Sequence, residues 1–140
     1  MFENPSKSEI DALLRRTRSI AVLGLSEGRD RPSHTVARAL QKFGYRIVPV
    51  NPAASEILGE KSWPDLESAL RGAGPVDVVQ VFRRPEHVAA IVDDAIRLKV
   101  PALWLQDGVI DEQAASKARA AGIFTVMNRC MFRDRSTLAE

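Results

Sequence analysis

The chain has 140 residues, 45% of them apolar and 27% charged, with a single cysteine. That composition suits one compact soluble domain over residues 1–140 and excludes disordered, collagen-like and disulfide-framework classes. The formal net charge is +2, and the basic residues are scattered apart from the pairs Arg15-Arg16 and Arg83-Arg84, which argues against a nucleic-acid partner.

No stretch reaches the about 18 uninterrupted apolar residues of a membrane span. The start, Met1-Phe-Glu-Asn-Pro-Ser-Lys7, lacks the basic-then-apolar layout of a signal peptide. The lone Cys130 cannot form an internal disulfide, which suits a reducing cytoplasm.

In chain order, Ser8-Glu9 followed by Ile10, Leu13 and Leu14 predicts a capped helix ending near Thr17. The first strand, 19–24, ends in Gly24 and opens into the polar loop Leu25–Ser33. A helix begins at about Ser33, with Val36, Ala37, Leu40 and Phe43 at helical spacing and Gly44 as its stop. The second strand runs 45–50 and is halted by Asn51-Pro52. A short helix around 65–70 leads to the third strand, 76–82, and Pro85 then sits in the first turn of a long helix carrying Val88, Ile91, Val92 and Ala95. The fourth strand is 101–105, the fifth helix 111–121 and the fifth strand 123–127. The charged tail 128–140 either frays or adds a short helix.

Near-continuous apolar strands alternating with helices predict a parallel sheet buried on both faces. The expected fold is α/β, a Rossmann-like, doubly wound, five-stranded sheet in three layers, most simply in the order 3-2-1-4-5. Ligands of such sheets bind beyond the carboxyl ends of the strands, which nominates 24–33, 51–52, 82–84, 106–108 and 128–130.

Within that set, an apolar strand ending in glycine before a helix N-terminus makes a cradle for phosphate. Gly24 lets an anion approach the backbone, Ser26 and Ser33 offer hydroxyls, and Arg29 or Arg31 can pair with a phosphate. Ser33 can also cap the helix. The loop lacks both the G-x-G-x-x-G and the G-K-[ST] patterns, and the second strand ends in Val50-Asn51-Pro52 without the ribose-binding carboxylate of NAD domains. Phe82 can pack on a base or a pantetheine arm while Arg83 or Arg84 reaches a phosphate.

Other motifs carry less. Gly24-Leu-Ser-Glu-Gly28 matches the nucleophile elbow, but four residues separate it from the helix and no histidine follows late in the chain. Cys130, beside Arg129 on the same edge, is a candidate reactive thiol, since a neighbouring cation lowers a thiol pKa. Trp104 and Trp63 read as packing residues. Two histidines and one cysteine at wide spacings make no metal-ligand set.

Seven segments together resemble the small, stand-alone CoA-binding proteins related to the N-terminal domain of the succinyl-CoA synthetase α subunit. They are Ile20–Ser26, Arg31–Ser33, Gly44–Pro52, Ile57–Gly59, Val81–Glu86, Trp104–Gln106 and Met127–Cys130, in the family's order. The resemblance implies a Rossmann-like fold that binds coenzyme A. The loop from Gly24 to Ser33 would hold the pyrophosphate, and Val50 to Pro52 with Phe82 and Arg83 would surround the adenosine 3′-phosphate end. His34 stands where relatives often carry tyrosine, and Gly28-Arg29-Asp30 is more polar than the family's usual loop. The synthetases need a further domain with a phosphorylated histidine, so the resemblance implies binding and no reaction. The expected function is therefore a cytoplasmic CoA or acyl-CoA binding module without its own catalytic apparatus. The alternative is an NAD(P)-dependent oxidoreductase, or a CoA-dependent acyl or thiol-exchange enzyme using Cys130.

Overall fold

Strand β1 (Ser19–Leu23) is fully buried and pairs in parallel with β2 (Arg46–Val50) on one side and β5 (Val78–Val81) on the other. Strands β6 (Ala102–Leu105) and β7 (Phe124–Met127) continue the sheet beyond β5, all parallel. The structure is a computed structural model and describes residues 1–138; the last two residues of the tail lie outside the described residues.

The doubly wound, five-stranded parallel sheet is as expected, but its order is not 3-2-1-4-5. The order is β2-β1-β5-β6-β7, so the third long strand lies inside, next to β1. The reason is chemical: Pro49 sits in β2 and has no N–H to give a ladder, which confines that strand to an edge. The outer edge of β2 is closed at its carboxyl end by the chain itself. Trp63 N–H donates to Pro49 O at 3.0 Å and Asn51 N–H to Trp63 O at 2.9 Å.

Side chains alternate across the sheet. Ile20 and Val22 pack with α1 (Lys7–Arg16), α2 (Pro32–Lys42) and α6 (Met131–Ser136). Ala21 and Leu23 pack with α3 (Leu66–Ala73), α4 (Val88–Arg97) and α5 (Glu112–Ala120). Burying each Val or Ile of α4 contributes about 1.5–3 kcal/mol, which is why Val88, Ile91 and Val92 all face inward.

Three local expectations are corrected. The first helix is capped by Ser6, whose hydroxyl accepts from Glu9 N–H while Glu9 reaches back to Ser6 N–H; the three-residue spacing selects Ser6 over Ser8. A single turn of 3-10 helix, Pro85–His87, precedes α4. The segment after β2 forms a small antiparallel hairpin, β3 (Glu56–Ile57) with β4 (Glu60–Lys61), which periodicity did not disclose. Trp63 is the packing anchor expected: its indole lies against Gly72, with Lys61 4.2 Å above the ring.

Candidate functional site

Because the chain winds from β1 to β2 on one side and then to β5 on the other, the crevice opens at the carboxyl ends of β1 and β5. Gly24 stands at its centre. Its N–H donates to Val50 O at 3.1 Å, while Phe82 N–H donates to Leu23 O at 2.9 Å, so three strand ends converge there. Its φ of +83° suits glycine, and a Cβ would collide with the Phe82 carbonyl oxygen and lie 2.8 Å from Arg83 Cδ.

The loop from Leu25 to Arg31 is held by its own serines. Leu25 is fully buried as a plug, Ser33 Oγ accepts from Ser26 N–H at 3.0 Å, and Ser26 Oγ accepts from Gly28 N–H at 3.0 Å. Both hydroxyl protons remain available to an acceptor above the loop. Ser33 is therefore not the helix cap that its position suggests. Helix α2 starts one residue earlier at Pro32, its N-cap residue is the exposed Arg31, and no side chain caps it. Its first intrahelical donor is Thr35 N–H, to Arg31 O at 3.0 Å, which leaves the Ser33 and His34 amides as unspent donors. The first turn of this helix carries no acidic residue to offset its positive end.

Asn51 ties the neighbouring loop to this one. Its Nδ2 donates to Leu25 O at 2.9 Å, and its Oδ1 accepts from Ala53 N–H at 2.8 Å. Ser62 Oγ donates to Asn51 O at 3.0 Å. The fold thus brings Gly24, Ser26, Ser33, Asn51, Phe82 and Arg83 to one edge. Val50 is not free to serve the site as expected, because its side chain packs into the core and its carbonyl accepts from Gly24 N–H; Pro52 and Arg83 are exposed and Phe82 is half-buried.

The far end of the edge is spent on structure. Gln106 Oε1 accepts from Gln80 Nε2 at 3.0 Å and from Met131 N–H at 2.8 Å, and Trp104 Nε1 donates to Arg129 O at 2.8 Å. Asn128, at φ +60°, accepts from Gly108 N–H with its side chain. Arg129 forms a two-pronged ion pair with the buried carboxylate of Asp134, at 2.8 and 2.6 Å. Arg129, the cation expected beside Cys130, is thus held by Asp134, and the Cys130 side chain is buried.

One polar group was missed by sequence reasoning. His34 is buried, its Nδ1 has no hydrogen-bond partner, and burial, with Arg38 and Arg29 nearby, holds its imidazole below the usual 6.5. The departure from tyrosine at this position was the available signal.

Residues 18–135 match the family model described as CoA binding domain. The chain belongs to that family. It is 40% identical over 130 residues to YneT of Bacillus subtilis, covering 93% of this chain and 94% of that one. Among solved structures it is similar to a Thermus thermophilus protein, at 33% identity and TM-score 0.88, covering 96% of this chain and all of the other. It is also similar to a Pyrococcus horikoshii protein, at 31% identity and TM-score 0.87, covering 99% of each. The serine-braced segment 24–33 lies within the matched residues. No helix among the described residues is long and apolar enough to cross a membrane.

Proposed function

We propose that the edge around Gly24 binds coenzyme A or an acyl-CoA and that this chain acts as a binding module, housed in a reducing cytoplasm that suits its lone buried thiol. The observation that carries the reading is the uncapped N-terminus of α2, whose Ser33 and His34 amides stand with the Ser26 and Ser33 hydroxyls over a glycine-ended strand. Backbone N–H groups and the positive end of a helix dipole are a receptor for a pyrophosphate. Membership of the CoA binding domain family supports the choice of ligand.

In this reading, Gly24, Ser26 and Ser33 hold the pyrophosphate, with Arg31 and Arg83 approaching from the two sides. Asn51 and Pro52, with the Phe82 ring, flank the adenosine, and Val50 supports them from the core. Each charge-assisted bond to phosphate contributes roughly 1.5–3 kcal/mol, so a few suffice for micromolar affinity at about 8 kcal/mol. The reading gives Cys130 no chemical part, because it is buried and its neighbour Arg129 is engaged by Asp134. Isothermal titration with CoA and NAD tests the proposal: CoA is expected to bind at micromolar concentration and NAD much more weakly. Tighter binding of NAD overturns it.

A further inference from the structure

A cavity of about 450 Å³ lies beside the loop, bounded by Glu27 and Arg29, by His34 and Arg38 of α2, and by the hairpin from Glu56 to Gly59. Its walls are fixed: Gln41 Nε2 donates to Leu58 O at 3.1 Å, fastening the hairpin tip to α2. Leu58 and Gly59, at φ +56° and +77°, form the two-residue turn at the hairpin tip. At one end stands His34, 6% exposed, with a buried ring nitrogen that no group satisfies. Native folds rarely leave such a nitrogen unpaired. Four charged side chains line the cavity, yet Glu27, Arg29, Arg38 and Glu56 form no ion pair among the described residues. Arg38 and Arg29 lie close enough to His34 to help hold its imidazole below 6.5, and Glu27 and Glu56 line the same cavity.

We propose that this cavity is a phosphate-monoester subsite that takes the ribose 3′-phosphate of the coenzyme, with Arg29 and Arg38 pairing its oxygens and the neutral His34 ring donating its N–H. The inference rests on the CoA reading above and adds to it a determinant for the monoester outside 50–52. The subsite adjoins the loop proposed for the pyrophosphate, since Glu27 and Arg29 belong to both. Glu27 and Glu56 offset the two arginines in sum, so free phosphate gains little there. The monoester gains by being tethered to the rest of the ligand.

Titration of the wild type and of Arg38→Ala with CoA and with dephospho-CoA tests this. The wild type is expected to prefer CoA by at least about tenfold, the worth of one charge-assisted pair. Arg38→Ala is expected to lose most of that preference while its affinity for dephospho-CoA stays unchanged. Arg29→Ala is expected to erode the same preference, which guards against a defect peculiar to position 38. If the wild type binds both ligands equally, or Arg38→Ala keeps the full preference, the subsite is refuted while CoA binding stands. If neither ligand binds the wild type, both readings fall.

Discussion

The side-chain amide of Asn51 donates a 2.9 Å hydrogen bond to the carbonyl oxygen of Leu25, and so joins the loop after β2 to the loop after β1. Leu25 is the buried residue from which the serine-braced turn departs, so the bond sets the height of the proposed phosphate cradle against the proposed adenosine wall. Asn51→Ala removes this bond and the one from Ala53 N–H, and is expected to destabilise the fold by about 1–2 kcal/mol. In urea denaturation the midpoint drops, and the same variant binds CoA more weakly. An unchanged midpoint would show that the two loops hold their places without it.

Ser26→Asp places a carboxylate in the cradle. Aspartate can still accept from Gly28 N–H as the serine oxygen does, so the loop and the melting temperature are expected to persist. Affinity for CoA should vanish from titration, because two negative groups would share one anion site. Retained affinity would locate the pyrophosphate elsewhere.

Gly24→Ala is expected to be costly for two reasons that add. The residue holds a φ of +83°, and the new methyl would meet the carbonyl of Phe82. Backbone conflicts of this kind cost about 1–3 kcal/mol, so the variant is expected to unfold at visibly lower denaturant than the wild type. A loss below about 0.5 kcal/mol, the usual range of a neutral surface change, would contradict the contact with β5.

The buried His34 predicts a pH dependence. Its imidazole is held below 6.5 by burial and by Arg38 and Arg29, with Glu27 and Glu56 facing the same cavity. Unfolding frees the ring to take up a proton between the lowered value and 6.5. Stability is therefore fully present above pH 6.5 and declines as the pH falls through that window. His34→Gln removes this slope: its denaturation midpoint should stay flatter than that of the wild type from about pH 7 to about pH 5.5. Parallel profiles for the two proteins would show that His34 is protonated as easily in the fold as outside it.

The strands and helices were legible because they are local. Runs such as Ile20–Leu23, apolar at every position, and Val78–Val81, apolar except for Gln80, are what a strand covered on both faces requires, and the helices show their stripes and their stops. Reading Ser8 as a cap in place of Ser6 erred because one hydroxyl was considered without its partner Glu9 three residues from the true cap. Ser33 lies at the expected edge but does not cap the helix: its oxygen accepts from Ser26 N–H, and the helix begins with Pro32. The hairpin Glu56–Lys61 is too short to show a period, although the Leu58-Gly59 pair at its tip was a turn signal. Strand order carried one unused clue, since Pro49 is tolerable only at a sheet edge.

Taken alone, the order of residues determined which segments are strands, which are helices, and that a glycine-ended strand meets a helix N-terminus in a serine-bearing loop. Those features depend on side chains a few positions apart, whose periodicity and turn preferences act before the chain is compact. Tertiary structure decided which strand lies beside β1, that Asp134 occupies Arg129, and that His34 shares a cavity with a hairpin more than twenty residues away. Such contacts form only once loops have closed and both faces of the sheet are covered, and burial then selects among partners that spacing along the chain leaves equivalent.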